Sequence, residues 1–96
     1  MPWMYILQCC DGSYYTGSTN NLELRLAQHS QGKGSKYTAR RLPVKLVYSA
    51  EFDSLLEAYE AEKQVQGWGR AKREALIRGD YDALPGLSRK PGQRRT

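Results

Sequence analysis

An α+β fold, with helices packed on a small sheet in the order strand, strand, helix, strand, helix, helix, follows from three features of this 96-residue chain. It opens on an apolar run that is broken by Asp11-Gly12, a strong hairpin signal. A second strand-like alternation falls at Val44–Phe52, beyond the first helical segment. The segments around and after it carry helix caps and helical spacing. Strands and helices arranged in this way form layers around one core. A chain this short makes a single domain and buries roughly 60–65% of its unfolded surface.

Trp3–Cys10 is rich in aromatic and aliphatic residues and reads as a buried strand. Asp11-Gly12 turns it, and Ser13–Gly17 returns as the second strand. Asn20 or Asn21 can cap a helix that runs to about His29. Gln31–Pro43 is polar, contains Gly32 and Gly34, and reads as loop with a short helical turn near Tyr37–Arg41. In Val44–Phe52, the residues Val44, Leu46 and Tyr48 alternate with Lys45, Val47 and Ser49, as a third strand requires. Ser54 and Glu57 form a capping box that opens a helix over Leu55–Gln66. Gly67 and Gly69 break that helix on either side of Trp68, and Arg70–Arg78 is a further short helix stopped at Gly79. The domain spans residues 1–80. Residues 81–96 read as a basic tail, with the Pro, Gly and cationic content of a disordered segment from Pro85 onward.

The formal net charge is +5, from 15 basic and 10 acidic side chains. Arg89, Lys90, Arg94 and Arg95 supply most of that excess, and Met1–Leu87 is nearly balanced. The domain is basic by region. No acidic residue occurs between Glu23 and Glu51, an interval that carries Arg25, Lys33, Lys36, Arg40, Arg41 and Lys45. Such a surface suits a polyanion, with an attraction that fades in salt. Adjacent Cys9 and Cys10 fit neither an ordinary disulfide nor a zinc spacing, and read as strand residues in a reducing compartment. No apolar run approaches a membrane span, and the N-terminus lacks the basic and apolar regions of a signal peptide. A soluble cytoplasmic protein is the expectation.

One acidic residue stands out. On a wheel of about 100° per residue, Leu55, Ala58, Tyr59 and Val65 gather on one side, and Glu62 falls near the middle of that side. A carboxylate on an inward stripe costs several kcal/mol unless a cation or strong donors meet it. Something positive should therefore meet it; otherwise the residue is a partly exposed Glu snorkelling at the end of a short helix, or one half of a structural ion pair. On the first helix, Leu22 and Leu26 mark the apolar face. Arg25 and His29, four residues apart, stand beside that face.

Trp3-Met4-Tyr5, then Tyr15-Thr16-Gly17 ten residues after the first tyrosine, then Arg25 ten further on, resemble the GIY-YIG nuclease domain. The first triplet keeps only its tyrosine, and the second keeps its tyrosine and glycine. The run Tyr15–Leu22 with Arg25 and His29 is the more specific part. Gly32–Thr38, Lys45–Tyr48, and Glu62 followed by Gly67-Trp68 and Arg70–Ile77 look like the small standalone bacterial branch of that superfamily (UPF0213-like). The resemblance covers Trp3 to about Ile77.

The resemblance implies a three-stranded antiparallel sheet flanked by helices and metal-assisted hydrolysis of a DNA phosphodiester. The implied catalytic set is Tyr5, Tyr15, Arg25, His29 and Glu62. In it Glu62 is the ligand of Mg²⁺ (or Mn²⁺), a cation that accepts one carboxylate and keeps most of its waters. Arg25 clamps the scissile phosphate through its planar fork. A tyrosine activates water, with its pKa brought down from near 10 by the metal and Arg25. His29 orients that tyrosine or relays its proton. The base stays open between Tyr5 and Tyr15, with Tyr5 preferred. Lys33, Lys36, Tyr37, Arg40 and Arg41 are the candidate DNA contacts. Two positions depart from the family pattern: Gln66 stands where relatives often carry a basic residue, and a late asparagine has no counterpart. A nucleic-acid-binding module of the same fold with weak or lost catalysis is the second reading.

A shared site makes one demand on the hairpin. A two-residue Asp11-Gly12 turn pairs Gln8 with Tyr15 and puts the two tyrosines on opposite faces. A three-residue Asp11-Gly12-Ser13 loop pairs Cys9 with Tyr15 and puts both on one face. The three-residue connection, or a bulge, is therefore expected.

Overall fold

The computed structural model describes residues 1–80; the proposed tail at 81–96 lies outside them. Three antiparallel strands, β1 (Trp3–Gln8), β2 (Tyr14–Thr19) and β3 (Lys45–Glu51), form one sheet in the order β2-β1-β3. The helices are α1 (Leu22–Ser30), the single turn α2 (Lys36–Ala39), α3 (Leu55–Gln66) and α4 (Arg70–Arg78). The anticipated order of strands and longer helices holds. β2 runs two residues further than expected, to Thr19, and the helical turn begins one residue earlier, at Lys36.

β1 is apolar throughout because it is the central strand and both of its faces are covered. Met4, Tyr5, Ile6 and Leu7 are all fully buried. Its two faces serve different ends. Met4 and Ile6 join Ala61 and Val65 of α3 and Ala75 and Leu76 of α4 in the hydrophobic core. Tyr5 points to the other face, where its ring packs against His29 of α1.

The hairpin meets the demand placed on it, one step out of position. Its loop has three residues, Cys10-Asp11-Gly12, and Gln8 pairs with Tyr14. Cys9 N–H donates to the Ser13 carbonyl at 2.8 Å, so Cys9 lies opposite Ser13 instead of Tyr15. The two registers differ by an even number of residues, so Tyr5 and Tyr15 still share a face. The Asp11 carboxylate accepts from both Ser13 N–H and the Ser13 hydroxyl, which stabilises the loop in this position. Cys10 is therefore an exposed turn residue and not a strand residue, whereas Cys9 is buried; both are free thiols.

β3 departs from simple alternation. The pairing shifts between Ile6 and Leu7, which face Tyr48 and Leu46, and Val47 becomes an extra residue between them. This bulge turns Val47 and Tyr48 toward the core and leaves Leu46 exposed.

Two helix caps form where the sequence places them, at Asn21 and Ser54, and the structure adds a third at Ser35. Asn21 accepts from Leu24 N–H, Ser35 from Thr38 N–H and Ser54 from Glu57 N–H. The inward stripe of α3 is Ala58, Ala61 and Val65. Leu55 and Tyr59, expected on that stripe, are exposed, and Glu62 lies to one side of the stripe, over β2. The reason is size. α3 sits close to the sheet on small residues, and close packing pushes bulky neighbours to its flank. Among the described residues, no helix is long and apolar enough to cross a membrane.

Candidate active site

Tyr5 is the hub of a buried polar network. Its hydroxyl lies 2.9 Å from His29 Nε2, and His29 Nδ1 lies 2.8 Å from Thr38 Oγ1. Thr38 Oγ1 in turn is 2.9 Å from the Ser35 hydroxyl. Tyr5, His29 and Thr38 are all fully buried. Burial first, and then the charge of Arg25, hold the His29 pKa below its ordinary value, so the ring is neutral. A neutral imidazole offers one donor and one acceptor. The Arg25 charge is near enough to Tyr5 to oppose the effect of burial on its pKa. The hydroxyls of Tyr5 and Thr38 can each donate or accept, so together they serve both ring nitrogens in either tautomer.

Two glycines make this packing possible. Gly17 lies directly opposite Tyr5 across the strand pair. A Cβ there would stand 2.5 Å from the Tyr5 hydroxyl. Since β2 is an edge strand, the bare Gly17 lets the phenol reach the rim of the sheet. Gly34, in the loop before α2, lies flat against the imidazole, and a Cβ there would collide with the His29 ring.

Burial pushes the Tyr5 pKa up to about 12, aided by Tyr15 and Glu62 and opposed by Arg25. Those neighbours show that the hydroxyl is electrostatically close to three other members of the expected set. Tyr15 packs beside it, with ring centroids 6.5 Å from Tyr5 and 5.2 Å from His29. Half-buried Tyr15 also lines a small groove of about 240 Å³ with Tyr37, Gln66 and Arg73.

Glu62 approaches from the other side of β2. Its Oε1 accepts from the Ser18 hydroxyl at 2.7 Å and its Oε2 from the Gln66 amide at 2.8 Å. Gln66 also donates to the Thr16 carbonyl, which ties the end of α3 to the edge strand. The side chain is 12% exposed, and its nearest cation is Lys63, 3.8 Å away. Strong donors meet the carboxylate, and only a loose ion pair adds to them. The Glu62 and Ser18 oxygens are hard donors at the sheet edge beside Arg25, a set suited to one divalent cation completed by water and phosphate. Among the described residues no cluster of three or more His, Cys, Asp or Glu side chains that could hold a metal ion occurs.

The structure thus brings Tyr5, Tyr15, Arg25, His29 and Glu62 around Gly17. The basic loop divides. Lys33, Lys36 and Arg40 are exposed. Arg41 instead pairs with Asp11 at 3.1 Å, donates to the Tyr37 carbonyl and covers the Tyr37 ring at 3.8 Å. Tyr37 stacks on Tyr15 at 6.2 Å, which makes it a wall of the site. Sequence reasoning gave no role to Ser18, Ser35 or Thr38 and treated Gln66 only as a departure. Ser18 sits one residue after Gly17, and Ser35 and Thr38 have the spacing of a helix cap.

A model of the GIY-YIG catalytic domain matches residues 1–75. The chain belongs to the GIY-YIG family. Its relatives place it in the UPF0213 branch. A UPF0213 protein of Streptococcus pneumoniae is 46% identical over 80 residues, 83% of this chain and 81% of the relative. Another, from Halobacterium salinarum, is 43% identical over 77 residues, 80% of this chain and 100% of the relative. The branch therefore extends beyond bacteria to archaea. The solution NMR structure of the UPF0213 protein from Bacillus halodurans is similar, with a TM-score of 0.54 and 41% identity. That match covers 92% of this chain and 98% of the other. GIY-YIG membership carries nuclease activity as its general expectation.

Proposed function

We propose that the chain is a metal-dependent endonuclease that hydrolyses DNA phosphodiester bonds at the β2 edge, with Tyr5, Tyr15, Arg25, His29 and Glu62 as its machinery. The observation that carries this reading is the buried Tyr5 hydroxyl, 2.9 Å from His29 Nε2 and near enough to Arg25 and Glu62 for their opposite charges to act on its pKa. A purely structural core gains little from crowding a phenol, a guanidinium and a carboxylate at the rim of a sheet. Phosphodiester hydrolysis needs all three kinds of group.

Arg25 binds the scissile phosphate and neutralises charge that builds on its oxygens. Glu62, supported by Ser18, would hold Mg²⁺ or Mn²⁺; the chemistry such an ion supplies is charge neutralisation and a lowered pKa for bound water. Tyr5 is buried and hydrogen-bonded to His29, so we place the water-facing role on half-buried Tyr15 in preference to Tyr5. Tyr5, hydrogen-bonded to His29, then acts as a positioning residue that keeps His29 and Arg25 in place beside Tyr15. Gln66 holds the Glu62 carboxylate in place from one turn further along α3.

Nicking of supercoiled DNA with Mg²⁺ or Mn²⁺ tests this. The wild-type chain is expected to cut, and Glu62→Ala and Arg25→Ala to lose at least about 100-fold in rate, with circular dichroism unchanged. Tyr15→Phe is expected to be as damaging, and Tyr5→Phe less so. Undiminished cutting by Glu62→Ala would overturn the assignment. Salt-sensitive binding with no cutting by the wild type would favour the binding module.

A further inference from the structure

Arg25 has neighbours that phosphodiester hydrolysis does not use. Between the start of α1 and the start of α3 lies a groove of about 540 Å³, lined by the segment 18–21, Arg25, Leu55, Leu56 and Tyr59. Three large apolar side chains on one helix turn are exposed here together: Leu55 by 44%, Leu56 by 66% and Tyr59 by 47%. Grouped exposure of that kind marks a binding surface more often than scattered apolar residues do. The opposite wall is polar. Asn21 spends its side-chain oxygen on the cap of α1, which leaves its amide N–H groups free. Asn20 is exposed and, among the described residues, its side chain makes no hydrogen bond.

These walls match the phosphate of a nucleotide and the face and edge of its base. Arg25 offers a fork for phosphate. Tyr59 and the two leucines offer a flat apolar surface for a base. The Asn20 amide carries both a donor and an acceptor for a base edge. The volume lies in the range of small-ligand sites. A base stacked inside a duplex cannot enter a groove beside its own phosphate; one already unpaired enters at little cost.

We propose that this groove binds an unpaired DNA base next to the phosphate held by Arg25, with Tyr59 as the stacking platform and Asn20 on the base edge. The proposal rests on the nuclease reading and narrows its substrate to DNA with an extrahelical or single-stranded nucleotide beside the cut. Tyr59 and Asn20 are then specificity residues outside the catalytic set.

The test measures binding in a chelator, by fluorescence anisotropy, to a duplex with a one-nucleotide bulge and to the same duplex fully paired. The wild-type chain is expected to prefer the bulged duplex. Tyr59→Ala is expected to bind the bulge about tenfold more weakly and the paired duplex unchanged, and Tyr59→Trp to keep the preference. Asn20→Ala is expected to alter the ranking when the bulged base is varied. Equal affinity of wild type and Tyr59→Ala for the bulge would overturn the base groove, whereas the nuclease reading stands or falls separately on nicking by Glu62→Ala. Failure of the wild type to prefer the bulged duplex would likewise overturn the base groove and leave the nuclease reading to the nicking assay.

Discussion

At residue 17 a single absent methyl group decides where the Tyr5 hydroxyl can lie. Gly17→Ala places a carbon 2.5 Å from that hydroxyl, and the ring beneath it is fully buried. The crowding is expected to cost about 1–3 kcal/mol, read as a lower urea midpoint. It should also displace the phenol from His29 and so depress nicking more than the stability loss explains. Tyr5 itself gives a pH signature. Burial raises its pKa to about 12 in the folded chain, above the unfolded value of 10.0. The unfolded chain gives up the proton first, so this contribution is intact below about pH 10 and is lost as pH rises toward 12, a change on the order of 2–3 kcal/mol. Urea unfolding at pH 9 and pH 11 measures it. Tyr5→Phe should show a smaller drop than the wild type between those two values, because only the shared lysines and the other tyrosines still titrate. An equal drop would mean that the phenol is not held in a buried, neutral state.

The corner between α3 and α4 supports the Glu62 side of the site. Arg73 donates to the Val65 carbonyl at 3.3 Å and to the Gln66 carbonyl at 3.1 Å. One α4 side chain thus satisfies the Gln66 carbonyl at the end of α3 and adds a second donor to the Val65 carbonyl, which already accepts from Trp68 N–H. Gln66, held in this way, reaches both Glu62 and the Thr16 carbonyl. Arg73→Ala is expected to lower stability by about 1–2 kcal/mol, and Gln66→Ala by less while reducing nicking. Thermal melts and the nicking rate distinguish the two effects. Most of the elements were legible in the sequence, because caps and hairpin signals act within a few residues. Asn21, Ser35 and Ser54 bond three residues ahead, and no tertiary contact overrides them. The register of the hairpin was half legible: the shared face of Tyr5 and Tyr15 followed from the site, but the side-chain bonds of Asp11 to Ser13 chose the loop. The tilt of α3 was not legible. Leu55 and Tyr59 carry the helical spacing of core residues, but Ala58, Ala61 and Val65 form the buried face of α3 and leave them exposed. The Thr38 contact with His29 joins residues nine apart through a loop, beyond the range of periodic reasoning.

For the molecule as a whole, the sheet divides the work between its faces. The face of Met4 and Ile6 buries the hydrophobic core, and the face of Tyr5 carries the polar network. The site lies on the rim where these faces meet, at the free edge of β2. Charge follows the same division. The acid-free interval from 24 to 50 folds into α1, the loop around α2, and β3, beside the polar face. Attraction of DNA to this side should weaken with salt, because each phosphate contact releases condensed counterions. The structure sorts the cations that contribute. Lys33, Lys36 and Arg40 are exposed, whereas Arg41 is engaged by Asp11 and Tyr37. Replacing any one of the first three by alanine is expected to reduce the slope of log affinity against log salt by about 1, with the fold intact. Arg41→Ala should behave differently. It frees the Tyr37 ring and leaves Asp11 without its cation, so its main effect should be a stability loss of up to about 1 kcal/mol and a less ordered wall beside Tyr15. Anisotropy titrations at several salt concentrations, paired with thermal melts, separate the two patterns. If Arg41→Ala changed the slope as Lys36→Ala does and left the melting temperature alone, Arg41 would be a phosphate contact and not a brace for Tyr37.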